Sequence, residues 1–124
     1  MWTINKNKNW DALQEFSWVK DMNGIMQSPI HHREGDVATH TQLVLHALEN
    51  LEDYKSLSSQ EKEIVWAAAL LHDVEKRSTT FVDEDGKIVS PGHAKKGAMT
   101  TRQILYREIK TAFTVREEVV FISL

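Results

Sequence analysis

The side chains with chemical potential in this chain are His40, the adjacent pair His72-Asp73, Lys76 three positions beyond that aspartate, and His93. Imidazole and carboxylate together are the donor set of hard and borderline divalent ions. Adjacent residues on a helix point about 100° apart, so His72 and Asp73 converge on one ion only near a helix end or a groove. A carboxylate buried beside an imidazole also needs compensating positive charge, and a bound cation supplies it. Three imidazoles and a carboxylate from different elements can enclose one or two ions. An isolated His-Asp pair is better explained by a core helix that happens to end in those residues, so the reading rests on the combination. The chain has no cysteine. Thiolate sites, disulfides and cysteine nucleophiles are therefore excluded, and any ion is Fe, Mn, Zn, Ni or Mg held by His and carboxylate.

The elements that must position these residues can be read from hydrophobic spacing and punctuation. After a polar leader over 1–9, Trp10, Leu13, Phe16, Val19 and Met22 recur every third residue. This stripe predicts an amphipathic helix stopped by Asn23-Gly24. A loop follows, broken by Pro29 and Gly35 and containing His31, His32 and Arg33. Asp36 is the expected N-cap of a second helix, from Val37 to about Leu51, whose inner face is Val37, Val44, Leu48 and Leu51. His40 and Thr41 lie on or beside that face, and His46 lies well round from it. Ser58 with Glu61 forms a capping box that opens a central helix, which runs through the Ala/Leu-rich stretch Trp66–Leu71 into His72. The short β-prone runs 79–82 and 87–89 flank Asp83-Glu84-Asp85-Gly86, a pattern that fits a small hairpin or an irregular loop. Pro91-Gly92 ends it, and His93 begins a helix reaching about Ile109. Thr114 with Glu117 is a second capping-box pattern, opening a last helix with Val115, Val119 and Ile122 on one stripe. The expectation is a single all-α globular domain over 1–124, a bundle of about five helices.

Composition narrows the function classes. With 124 residues, 41% hydrophobic and 27% charged, the chain reads as one soluble domain with its own core. It has no apolar run of membrane-spanning length and no signal-peptide core, so a cytoplasmic location without membrane partners is the default. A net charge of −3 argues against broad nucleic-acid binding, although it allows a local basic mouth.

Three segments together resemble the HD-domain metal-dependent phosphohydrolases: Gly35-Asp36-Val37-Ala38-Thr39-His40-Thr41, Ala69-Leu70-Leu71-His72-Asp73-Val74-Glu75-Lys76, and Gly92-His93-Ala94-Lys95-Lys96-Gly97-Ala98. The third looks especially like the HD module attached to some tRNA nucleotidyltransferases and to some multidomain nucleic-acid-processing proteins. The resemblance implies a helix bundle around a metal site. His40, His72 and Asp73 would be ligands of the primary ion, and His93 would belong to a second one. Lys76 would sit near the substrate phosphate. The implied chemistry is hydrolysis of a phosphomonoester or phosphodiester, and the substrate the resemblance implies is a nucleotide or a nucleic-acid end. A bound divalent transition metal, or Mg, would activate water and neutralise phosphate charge. Asp73 would orient or deprotonate that water. Arg33 and Arg77 are candidate phosphate contacts, with a solvated surface cation as the alternative for each. His32 is a candidate pocket residue, with a solvated loop histidine as its alternative.

One departure from the family pattern bears on activity. The aspartate that closes the primary site from a later helix has no counterpart here, nor does the histidine expected after His93. The chain thus resembles the front part of an HD domain. Glu117 and Glu118 are substitutes on paper, but fit better as first-turn carboxylates complementing the helix dipole. An alternative expectation follows: a non-catalytic HD-like module that binds a metal or nucleotide, forming a homo-oligomer through the apolar residues Phe121, Ile122 and Leu124. A helical bundle with coincidental histidines ranks below both.

Overall fold

The computed structural model describes residues 1–28 and 35–124. The sequence readings for His31, His32 and Arg33 fall outside the described residues. The domain is mostly helical. In chain order it comprises α1 (Trp10–Leu13), α2 (Ser17–Lys20), α3 (Val37–Glu49), α4 (Glu52–Lys55), α5 (Ser59–Leu71), α6 (Lys76–Thr79), β1 (Phe81–Val82), β2 (Ile88–Val89), α7 (His93–Arg107) and α8 (Phe113–Ser123). Four of these helices are long, and they account for four of the five expected. The other four are single turns.

The continuous first helix expected over 10–22 is instead α1 and α2, broken at Phe16, whose backbone is extended. A three-residue repeat explains the break. On an α-helix each such step falls about 60° short of a full turn, so five apolar residues at strict spacing cannot share one face. The chain satisfies the repeat with tight turns, in which Glu15 N–H donates to Ala12, Phe16 N–H to Leu13 and Met22 N–H to Val19. Leu13, Val19 and Met22 are thereby buried, and Phe16 stacks on Trp18 with ring centroids 4.9 Å apart.

Helix α3 opens as expected. The Asp36 carboxylate accepts from Thr39 N–H at 2.8 Å and also from Gly24 N–H at 2.8 Å. Carbonyls of Ile25 and Met22 take the N–H groups of Val37 and Ala38, so the first amides of the helix are all paired. The buried face of α3 is Val37, Ala38, Thr41 and Leu45, rotated by about half of the 100° residue step from the predicted stripe. Leu51 lies past the helix end and is 56% exposed. The rotation moves His40, Val44 and Leu48 from the core to its rim.

Helix α5 carries the predicted capping box, with Ser58 Oγ accepting from Glu61 N–H and Glu61 returning to Ser58 N–H. It packs against α3 and α8, and α7 packs against α8. Trp66, Ala67, Ala68, Leu70 and Leu71 of α5 are buried. Trp66 Nε1 donates to Glu49 at 2.8 Å, and Lys8 Nζ lies over the indole, 5.5 Å from the ring centroid, while pairing with Glu63. The leader is therefore part of the fold: Ile4 is buried, and Trp2 exchanges backbone hydrogen bonds with the Gln60 side chain.

The segment 79–90 is a hairpin with Phe81 opposite Val89 and Val82 opposite Ile88. Asp83 Oδ1 accepts from the N–H groups of Asp85 and Lys87 to make its turn. The capping box expected at Thr114 and Glu117 does not form. Helix α8 begins at Phe113 with Ala112 as an uncapped start, and the Glu117 carboxylate is held instead by the Arg102 guanidinium through Nε and Nη2. On α8, Val119 and Val120 are buried, whereas Ile122 is exposed.

The two capping patterns make a direct test. Ser58→Ala should lower the urea-derived stability by about 1 kcal/mol. Thr114→Ala should leave it within about 0.5 kcal/mol, because that hydroxyl caps nothing.

Candidate metal centre

Helix α5 ends with His72 as its C-cap, and the turn His72–Glu75 separates it from α6. Leaving the helix here solves the problem of adjacent ligands, since His72 and Asp73 no longer have to share helical directions. Among the described residues, His40, His72 and Asp73 each offer a ligand atom, all within 4.8 Å of one another. Asp73 is the hub. Its Oδ2 lies 3.1 Å from His72 Nε2, 3.7 Å from His40 Nε2 and 3.5 Å from Lys76 Nζ. Its Oδ1 lies 3.4 Å from His93 Nε2. Four elements therefore contribute: α3, the turn after α5, α6 and the start of α7.

Two of the imidazoles are oriented in the same way. His72 Nδ1 bonds the Ala69 carbonyl, and His93 Nδ1 bonds the Ser90 carbonyl at 2.9 Å, each three residues earlier in the chain. An N–H committed to a carbonyl leaves Nε2 as the ring nitrogen facing the carboxylate, the usual way a protein sets the ligating tautomer. Gly92, in the left-handed conformation at φ 72°, makes the corner from which His93 enters α7.

The electrostatics follow from burial and pairing. Asp73 is 5% exposed. Burial by itself raises the pKa of its carboxyl, but the His72 hydrogen bond and the charges of His72, Lys76 and His93 outweigh it and lower it to about 2. His72 is the counterpart. Its burial disfavours the imidazolium, yet the hydrogen bond and charge of Asp73, with the Ala69 carbonyl, shift its pKa upward. An anion with two or three imidazole nitrogens turned toward it is a donor set that a divalent cation fits, and the cation would take the place of the protons shared there.

Lys76 is buried. Besides Asp73, its ammonium donates to Gln27 Oε1 at 2.7 Å. Gln27 is itself 4% exposed, and its Nε2 has no hydrogen-bond partner among the described residues. No periodicity or motif marked Gln27. It stands in a loop, and only the folded chain brings it 49 positions forward to Lys76. Glu75 is the second residue that sequence reasoning passed over. Its buried carboxylate accepts from Ser78 Oγ at 2.6 Å and Arg77 Nε at 3.0 Å, and lies 3.5 Å from Lys96 Nζ. Burial raises the Glu75 pKa, and the Ser78 and Arg77 contacts more than reverse this. Arg77 also reaches Asp21 at 3.0 Å, so its guanidinium is engaged by two carboxylates. Glu117 is held by Arg102, and Glu118 is exposed. Neither belongs to the donor group around Asp73.

Beside the donor group runs an apolar groove of about 300 Å³, lined by Val44, Leu48, Val65, Ala69 and Leu124 and bounded at one end by His72. The rotation of α3 that put Val44 and Leu48 on the rim creates one of its walls.

A mostly helical domain whose central helix ends in an imidazole-carboxylate group defines a class of metal-site proteins. The chain matches the HD domain over residues 37–122, more than half of its length, and it belongs to that family. The family is of a metal-dependent hydrolase type. The match is to the HD domain as a whole and does not single out the modules attached to tRNA nucleotidyltransferases. No match was found among curated proteins or among solved structures. No helix among the described residues is long and apolar enough to cross a membrane.

Two measurements check this geometry on metal-free protein. Because the folded pKa of Asp73 lies below its ordinary value of 3.8, its stabilising contribution is present above about pH 4 and lost as the pH falls toward about 2. The loss should be about 2 kcal/mol, and Asp73→Asn should flatten that part of the stability profile. Gln27→Leu should cost about 1–3 kcal/mol by leaving the Lys76 ammonium short of an acceptor.

Proposed function

We propose that the chain is a metal-dependent phosphohydrolase acting on a phosphomonoester or phosphodiester, with a nucleotide or a nucleic-acid end as substrate. The observation that carries this reading is the buried Asp73 carboxylate, approached on one oxygen by His40, His72 and Lys76 and on the other by His93. His40, His72 and Asp73 would hold the first ion, and His93 with the second Asp73 oxygen would favour another nearby. A divalent ion, of the Fe, Mn, Zn or Ni kind or Mg, would supply Lewis-acid charge for the phosphate and acidify a water.

The chain's own residues supply the rest. The Nδ1 bonds to Ala69 and Ser90 hold His72 and His93 with Nε2 inward. Asp73 stays ionised, so a carboxylate oxygen not engaged by an ion would orient a water or take up its proton. Lys76, steadied by Gln27, offers a cation to a phosphate oxygen. The groove next to His72 gives an apolar part of the ester, such as a base, a place away from water. Arg33 and His32 are further proposed contacts, and Arg77 would act only on release from Glu75 and Asp21.

A second reading is a non-catalytic HD-like module. It is favoured by a donor group of only three residues, with no further carboxylate joining it among the described residues. The exposed side chains of Phe121, Ile122 and Leu124 would give such a module an edge for a second copy.

Elemental analysis of protein purified without added metal separates the two. Near-stoichiometric Fe, Mn, Zn or Ni, lost in His72→Ala and in Asp73→Ala, together with metal-dependent hydrolysis in a screen of phosphomonoesters and phosphodiesters, is the expected result. Lys76→Ala should keep the metal and lower kcat at least about tenfold. A wild-type chain that takes up none of these ions on incubation would sink the hydrolase reading and leave the binding module.

A further inference from the structure

Helix α7 carries Lys95, Lys96, Arg102 and Arg107 and no aspartate or glutamate, in a chain whose net charge is −3. One end of this helix is His93, at the donor group. The other end opens on a concavity of about 350 Å³ lined by Arg102, Gln103, Tyr106, Arg107 and Arg116. Tyr106 is 67% exposed, which leaves its ring face open for stacking. The Arg116 guanidinium stands 5.7 Å from the Tyr106 ring centroid and 5.2 Å from that of Phe113, so cationic and aromatic surfaces alternate across the patch. Glu117 neutralises Arg102 and Arg116 in part and Glu75 engages Lys96, whereas the exposed Lys95 and Arg107 have no carboxylate partner among the described residues.

From this we propose that the outer face of α7 binds a single-stranded oligonucleotide, with one base stacked on Tyr106, phosphates along the Lys and Arg side chains, and its end directed toward His93 and Asp73. Stacking on an aromatic ring between positive charges is how unpaired strands are held without sequence preference. A duplex, whose bases are already stacked, offers the ring nothing. An acidic peptide matches the charge and ignores the tyrosine. His93 and Tyr106 are the first and fourteenth residues of α7, about 20 Å apart along the axis and about 140° apart around it, so a strand joining them crosses the helix obliquely and needs about six nucleotides or more. The direction of the strand toward the metal centre rests on the hydrolase reading given above. The binding surface itself does not.

The test is fluorescence anisotropy of labelled oligothymidylates of increasing length with the full chain in EDTA, so that no cleavage intervenes. Affinity should rise with length to at least about six nucleotides and then level off. Tyr106→Ala should weaken binding about tenfold and Tyr106→Phe by less than about twofold, because the ring and not the hydroxyl is used. Arg107→Ala should weaken binding and reduce the salt slope by about 0.7, one single-strand phosphate contact. Circular dichroism of each variant confirms the fold. Absence of binding, binding independent of length, or equal affinity for a duplex or for polyglutamate would overturn the proposal. A chain that hydrolyses small phosphoesters but ignores oligothymidylate loses this surface and keeps its metal centre. One that binds the strand but hydrolyses nothing with any ion keeps the surface and loses the hydrolase reading.

Discussion

The arrangement of this domain depends on keeping one carboxylate charged where water hardly reaches it. Desolvation works against Asp73, and the fold answers with four nitrogen groups from separate parts of the chain. Removing any one of them leaves the others closer to an uncompensated buried charge, the situation that costs most in a protein interior. The same cluster is what a divalent cation would find ready. Proton sharing in the metal-free chain and metal ligation are thus two uses of one electrostatic demand.

The turn His72–Glu75 carries two buried carboxylates with opposite company. Asp73 faces imidazoles and an ammonium group. Glu75, two residues on, is saturated by Ser78, Arg77 and Lys96. Through Arg77 and Asp21 it connects the turn to the tight turns of the N-terminal segment, and through Lys96 to α7. One carboxylate faces the candidate donor group, and the other holds the backbone that presents it. The N-terminal segment has a further part in this, since Gln27 anchors Lys76 from outside the span that matches the HD domain.

Packing and site geometry are coupled along α3. The helix buries Val37, Ala38, Thr41 and Leu45, and this leaves His40 at the rim with Val44 and Leu48. A deeper His40 would be sealed from any ligand, and a more exposed one would not reach Asp73. The rim position lets a core-forming helix contribute His40 to the candidate donor group.

Much of this was legible in the sequence. The caps at Asp36 and Ser58, the end of the central helix at His72, the corner at Gly92 and the hairpin pattern are local signals, set by side-chain to backbone bonds within a few residues. The candidate residues His40, His72, Asp73 and His93 were identifiable as metal-type donors on different elements, and Lys76 through the resemblance to HD domains. Other features needed the tertiary structure. The break between α1 and α2, the rotation of α3 and the loss of a capping box at Thr114 arise because distant partners compete with local preference. Arg102 claims Glu117, for example, before the local cap can form. Gln27 and Glu75 carry no periodic signature, and their roles exist only once Lys76, Arg77 and Lys96 are beside them. Sequence by itself determined which atoms are available for chemistry and where α3, α5 and α7 start. Tertiary structure decided which atoms meet, because burial and charge compensation act between residues far apart in the chain.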